Sequence, residues 1–119
     1  MLQLLEKHQK NGDLVILLST AIDIIAEKVA RNLEINHCIS SKIELADNFP
    51  SNIKIVNGQS KLKELKDFLN KNNLPTDNIY AYGDDISDLP VFMYAKYKIA
   101  VNPGRKLKKH TKNRNWNIV

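Results

Sequence analysis

Long apolar runs are missing from this 119-residue chain; none approaches the roughly 20 residues that a bilayer-spanning helix needs. A membrane-embedded chain is therefore not expected. Cysteine is nearly absent too. Cys38 is the only one, so no internal disulfide can form, and at the end of the apolar stretch 35–39 it reads as a small buried hydrophobe rather than a nucleophile. Residues 1–10 open directly on a helical pattern, without the basic region, apolar core and small-residue cleavage site of a signal peptide, and the expected location is the cytoplasm. Repeats, low-complexity tracts and linkers are lacking as well. The expectation is one domain over 1–119 with a real core, short for a complete sheet enzyme with an elaborated site.

Acidic residues are in the minority, giving a net charge of +5 and a pI near 9.3. The excess sits at one end, where Arg105, Lys106, Lys108, Lys109, His110, Lys112 and Arg114 precede Trp116. A basic helix beside an aromatic has the composition of a nucleic-acid contact. With few apolar anchors and no binding motif in this window, a solvated helix face is the favoured reading, and nucleic acid is the least favoured partner.

What is present is an alternation of helical and strand patterns, with 43% hydrophobic and 26% charged residues, the composition of a globular protein. Residues 1–10 are helix-like, with Leu2, Leu5 and His8 on one face, and Asn11-Gly12 is a stop signal. The continuously apolar 14–18 fits a strand buried on both faces. Ile22, Ile25, Ala26, Val29, Ala30 and Leu33 keep the spacing of an amphipathic helix. A strand is predicted over 34–40, then a hairpin of 42–45 with 53–56 around a polar loop at 47–52. Ser60 is the predicted N-cap of a helix running to about Asn70, with Leu62, Leu65, Phe68 and Leu69 inward and Lys61 in the first turn. Strands at 79–82 and 98–101, a short helix at 88–94, a basic helix after Asn102-Pro103-Gly104 and an edge strand at 117–119 complete the pattern. Alternating helices and buried strands predict an α/β fold, a doubly wound, mostly parallel sheet in three α/β/α layers. Strands 14–18, 79–82 and 98–101 are expected in one sheet.

The most informative stretch is Tyr80-Ala-Tyr-Gly-Asp-Asp-Ile-Ser-Asp-Leu-Pro90, an apolar run that stops at glycine and releases carboxylates at 84, 85 and 88. Open α/β sheets bind ligands at the carboxyl ends of their strands, and oxygen donors of this kind suit Mg²⁺, which keeps most of its positions for water and phosphate. The competing reading is that Asp85 or Ser87 only caps the next helix. Strand ends at Leu18 and Tyr82 would set Ser19, Thr20, Asp84, Asp85 and Asp88 along one edge, with Lys61 pointing into the cluster. A hydroxyl, a lysine and a carboxylate-bound cation form a phosphoryl site, because the charge of a transferring phosphoryl group spreads over oxygens that these groups neutralise. Ser19 alone could equally cap a helix, and a lone lysine is by default a solvated charge.

The order and spacing of these residues resemble the haloacid dehalogenase superfamily of phosphatases, in particular its phosphoserine-phosphatase-like subfamily IB, over nearly the whole chain. Gly12-Asp-Leu-Val-Ile-Leu-Leu-Ser19 is similar to the family's second motif, a strand ending in the hydroxyl that holds the phosphoryl group. Gly58-Gln-Ser-Lys61 is similar to the third, whose lysine stabilises the phosphoaspartate. Gly83-Asp84-Asp85-Ile-Ser-Asp88 is similar to the fourth, in which the first aspartate ligates Mg²⁺ and the last supports the metal shell. The ending from Ala100-Val-Asn-Pro103 to Trp116 also resembles the subfamily's, which gives the basic helix a structural reason. The resemblance implies Mg²⁺ at Asp84 and Asp88, phosphoryl contacts from Ser19, Thr20 and Lys61, and a phosphorylated small molecule as ligand.

One departure is decisive. Family members begin with a strand ending in Asp-x-Asp, whose first aspartate is the covalent nucleophile, and this sequence contains no Asp-x-Asp. Ala21, where a second serine is frequent, and Asp85, where serine is frequent, are smaller departures. Covalent catalysis without the nucleophile has no alternative acceptor, so the expectation is a core domain lacking its first strand and cap, incompetent alone. In the family that strand lies between those represented by 14–18 and 79–82, and its absence leaves two edges to be repaired by closing the gap, by self-association or by an upstream fragment. Three readings follow: a remnant or split piece of a phosphatase, a non-enzymatic module for phosphorylated ligands or proteins, and a nucleic-acid binder.

Overall fold

The computed structural model describes residues 2–56, 58–114 and 116–118. The side chains of Leu2, Glu44, Leu45, Pro50, Ser51, Asn52, Asn113 and Arg114 lie outside the described set, and with them the inward placement expected for Leu2. The chain divides into two compact units, Met1–Val56 and Asn57–Val119.

In the first unit, helix α1 (Leu2–Lys10) leads to strand β1 (Ile16–Ile22), helix α2 (Asp23–Asn32), strand β2 (His37–Ala46) and strand β3 (Phe49–Lys54). Both helices stop in the same way. Gly12 at φ 77° follows α1, with Gly12 N–H donating to Gln9 O at 3.2 Å and Asp13 N–H to His8 O at 3.0 Å. Glu34 at φ 58° follows α2, with its N–H donating to Arg31 O and Ile35 N–H to Ala30 O. This pair of backbone bonds around a left-handed residue satisfies carbonyls that the helix itself leaves without partners. It also takes Glu34 and Ile35 out of the predicted strand, so β2 begins at His37. Gln9 Nε2 donates to Leu33 O at 3.0 Å and Glu34 O at 3.2 Å, tying α1 to the end of α2.

β1 and β2 run parallel, and β2 turns antiparallel into β3. The second predicted strand and the first hairpin arm are thus one ten-residue strand. The predicted loop over 47–52 shrinks to Asp47-Asn48, both at positive φ, the two-residue turn whose twist suits a hairpin. α2 departs from its predicted face. Ala26 and Ala30 are buried, whereas Ile25 and Val29 are exposed, because within this unit the helix lies on β2 by its small residues.

The second unit contains α3 (Gly58–Lys71), β4 (Tyr80–Gly83), a 3-10 turn at Ile86–Asp88, α4 (Leu89–Tyr94), β5 (Tyr97–Ala100), α5 (Arg105–Arg114) and β6 (Asn117–Ile118). α3 starts at Gly58, which stands at φ 46°, so Ser60 lies in its first turn and not at the predicted N-cap. Its buried residues are Lys61, Leu65 and Leu69, a stripe at intervals of four that one helix face presents together. The α3 end repeats the left-handed closure at Asn73. β4, β5 and β6 are all parallel, β6 being the predicted edge strand. Leu107 of α5 is fully buried, as is Phe92, whose ring lies 5.5 Å from that of Trp116.

The architecture is α/β with parallel pairing, as predicted, but the single sheet is not found. Among the described residues the strands form two sheets, β1-β2-β3 and β4-β5-β6. The predicted common ladder of 14–18 with 79–82 and 98–101 is therefore corrected: β1 takes its ladder partners from β2, and β4 from β5. Among the described residues β1 and β4 each end a sheet. No helix among the described residues is long and apolar enough to cross a membrane.

Candidate functional site

With two sheets, the predicted residues form two groups, one in each unit.

In the first unit, the regular pairing of β1 ends at Leu18, opposite Ile39, and resumes only at Ile22, opposite Ser41. Ser19, Thr20 and Ala21 therefore arc out of the ladder where β2 supplies a single intervening residue, Ser40. Such bulges re-aim side chains and recur beside binding sites. The predicted strand end at Leu18 is a ladder end within a longer strand, since β1 continues to Ile22. Ser19 does not cap α2: the N-cap is Ile22, without a side-chain bond. Instead Ser19 Oγ accepts the Ala21 N–H at 3.1 Å. A hydroxyl that accepts one bond keeps its own proton to donate. The Thr20 side chain is exposed, and its carbonyl accepts the Ser41 Oγ–H at 2.7 Å.

In the second unit, Lys61 Nζ lies 2.8 Å from Asp88 Oδ1. Lys61 is only 5% exposed, so a side chain that would by default be a solvated charge is instead buried and paired. Helix α3 brings it there on the face that carries Leu65 and Leu69. Gly83 permits the approach of Asp88: a Cβ on Gly83 would meet Asp88 Oδ2 at 2.7 Å and Cγ at 3.1 Å. The backbone after β4 is pinned from the loop after β5, where Val101 N–H donates to Gly83 O and Gly104 N–H to Asp84 O, both at 2.9 Å. Asp84 is exposed.

Asp85 behaves as the capping reading foresaw. Its side chain accepts the Ser87 N–H at 3.2 Å and caps the 3-10 turn. The Ser87 side chain and backbone holding the carboxylate lower its pKa, with a smaller push from the Lys61 charge. Cys38, half-buried, has its thiol pKa raised first by burial, with Ser40 opposing and Glu27 adding to the rise; a thiol so held is a poor nucleophile at neutral pH.

A hard cation fits this turn in a limited way. Asp84 and Asp88 offer the oxygen ligands that Mg²⁺ prefers, and two carboxylates are within what it takes from protein. Asp88 is already balanced by the Lys61 ammonium. No group of three or more His, Cys, Asp or Glu able to hold a metal occurs among the described residues.

The sequence pattern does not single out Ser41, and it marks Gly104 only as the start of the basic helix. The available signal is the adjacent pair Ser40-Ser41 within a strand, since two adjacent serines cannot both face water from a strand with one buried face.

Comparison with known proteins bears on the whole chain. It is 24% identical over 119 residues to a phosphoserine phosphatase of Mycobacterium tuberculosis, covering 98% of this chain and 39% of that protein. It is also 24% identical over 125 residues to a histidinol-phosphatase of Neisseria meningitidis, covering 98% of this chain and 55% of that one. The chain spans about two-fifths to just over half the length of the curated relatives it matches. Among solved structures, a Bordetella pertussis protein superposes with a TM-score of 0.91 at 22% identity, over 99% of this chain and 56% of the other. A phosphoserine phosphatase solved as a phospho-aspartyl intermediate analogue gives 0.76 at 18% identity, over 98% and 55%. The model of the haloacid dehalogenase-like hydrolase family matches residues 1–93, a stretch that includes Ser19, Lys61, Asp84 and Asp88, and the chain belongs to that family.

Proposed function

We propose that this chain carries the phosphoryl- and cation-binding part of a Mg²⁺-dependent phosphomonoester hydrolase of the phosphoaspartate type, and that these 119 residues alone do not turn over. The observation that carries the reading is the buried Lys61 ammonium held 2.8 Å from Asp88, four residues after Asp84. Burying a charge is costly unless it is paired and hydrogen-bonded, and a paired lysine together with the exposed Asp84 carboxylate of the same unit provides both signs that a metal-bound phosphoryl group requires. The family match runs through both units, which supports counting them as one core domain. Phosphatase relatives support a phosphorylated small molecule as ligand.

Each residue has a role in this reading. Ser19 donates its O–H to a phosphoryl oxygen while Ala21 N–H holds its lone pair. Thr20 contributes the exposed end of the same arc. Lys61 offers positive charge to the phosphoryl oxygens, and Asp88 fixes where that charge sits. Asp84 would hold Mg²⁺ with Asp88 in support; when bound, the ion neutralises charge developing on the phosphoryl oxygens. The nucleophile is not among these residues, since the sequence has no Asp-x-Asp, so no bond-breaking step is assigned to the isolated chain.

A generic aryl phosphate assay with Mg²⁺ tests this. The purified chain is expected to give no turnover. A fragment supplying a first-motif strand with Asp-x-Asp and a cap is expected to restore it, and Asp84→Ala to abolish the restored rate. Robust turnover by the chain alone, lost on Asp84→Ala, would mean that another residue attacks. A complemented complex that forms yet stays inactive would favour the non-enzymatic module.

A further inference from the structure

We propose that Ser41 is a positioning residue for the phosphoryl-binding arc, acting on Ser19 through the Thr20-Ala21 peptide group; this rests on Ser19 being a phosphoryl contact.

Four observations combine. Ser41 is 2% exposed and lies on β2 where the ladder with β1 resumes, opposite Ile22. Its Oγ donates to Thr20 O at 2.7 Å and accepts from Val56 N–H at 2.8 Å, so its one proton and a lone pair are both committed. Ser19 Oγ accepts the Ala21 N–H at 3.1 Å. Ser19, Thr20 and Ala21 have no ladder partners to fix their backbone.

Thr20 C=O and Ala21 N–H belong to a single peptide group, and that group is planar. Ser41 holds its oxygen end and Ser19 its nitrogen end. Rotation of the plane about the chain would break both bonds together, so the direction of Ala21 N–H, and with it the place of Ser19 Oγ, follows from Ser41. Val56 N–H sets the other side of the hydroxyl: by occupying a lone pair, it leaves the Ser41 proton directed at Thr20. A ladder bond would normally orient a strand peptide, and in this arc a buried side chain replaces it. Alanine at 41 would release Thr20 O and leave the buried Val56 N–H without that partner, an arrangement folded proteins avoid.

The test uses the full chain by NMR, with two separate readouts. Amide exchange of Ala21 reads the geometry without any ligand. Inorganic phosphate titration reads binding. Ser41→Ala removes the hydroxyl, Ser41→Cys fills the space with a larger, weakly donating thiol in case alanine unfolds the unit, and Ser41→Thr keeps an O–H. Exchange at Ala21 is expected to rise about tenfold or more in the alanine and cysteine variants, with amides of the 16–18 ladder changed much less, and phosphate affinity to fall by roughly fivefold or more. Ser41→Thr is expected to recover most of both. Unchanged Ala21 exchange, or an equal acceleration across β1 and β2, would overturn the proposal as a merely structural effect. Selective Ala21 acceleration with wild-type phosphate affinity, when Ser19→Ala does lose it, would also overturn it. If Ser19→Ala itself leaves the phosphate response intact, the reading of Ser19 is wrong, and the inference falls with it.

Discussion

Lys61 and Asp88, 27 positions apart, meet at 2.8 Å, with the lysine almost wholly removed from water and the carboxylate partly so. The helical stripe Lys61, Leu65, Leu69 explains how: the same face that inserts two leucines into the second unit carries the ammonium to the turn after β4. Burial makes this contact different in kind from a surface ion pair, whose worth is near zero.

Removing one partner should therefore cost more than removing both. Lys61→Ala leaves the Asp88 carboxylate uncompensated and is expected to destabilise the fold by about 3–5 kcal/mol, whereas a Lys61→Met, Asp88→Leu double variant should recover much of that loss. Urea unfolding of the single and double variants checks this. Strict additivity would show that the two residues do not interact.

Gly83→Ala and Gly104→Ala separate a forced approach from an ordinary one. The first drives a Cβ to 2.7 Å from Asp88 Oδ2, while the second finds only Asp84 O at 3.6 Å. Gly83→Ala should lose about 1–3 kcal/mol and shift the Lys61 and Asp88 resonances; Gly104→Ala should do neither. Thermal melts and side-chain spectra of both variants decide.

Glu34 occupies a left-handed conformation, at φ 58°, where a side chain is strained and glycine is not. Glu34→Gly should stabilise the protein by about 1 kcal/mol, because the closing bonds to Arg31 O and Ala30 O come from backbone and survive the change. A lowered midpoint in urea would show that the Glu34 side chain contributes something its backbone conformation does not reveal.

Asp85 sets a pH dependence. Its pKa is lowered in the folded protein by Ser87, against about 3.9 in an unfolded chain, so its cap contributes fully above the unfolded value and is lost as pH falls through the folded one. The difference in melting temperature between wild type and Asp85→Ala should be constant from pH 7 to about 5 and shrink toward zero in stronger acid. A difference that grew on acidification would reverse the sign of the argument.

Much of this was legible from periodicity. The strands at 79–82 and 98–101, the hairpin and the helix bearing Lys61 follow from apolar spacing and turn residues, and the Lys61 cluster from the carboxylates that follow Gly83. Two things were not. The split between sheets depends on which strands lie next to each other, which no local pattern encodes; β1 reads as doubly buried, yet its residues are half-buried at most. The arc at Ser19 to Ala21 depends on a register shift, and register is set by pairing across strands. Ser60 departs from its expected N-cap position for a smaller reason: Gly58 supplies a left-handed backbone at the helix start, which moves the first turn two residues back.

Gly104 bonds in two directions, through N–H to Asp84 O and through C=O to Lys108 N–H. The short stretch from Val101 to Gly104 is consequently a strut of fixed length between a sheet and a helix. A residue inserted there would either let go of Asp84 or start α5 out of phase by about 100°, rolling Leu107 out of the core and a lysine toward it. Apart from Asn102, held at φ 43°, this segment should accept many changes of side chain and almost none of length, the reverse of what its loop character would lead a protein engineer to assume.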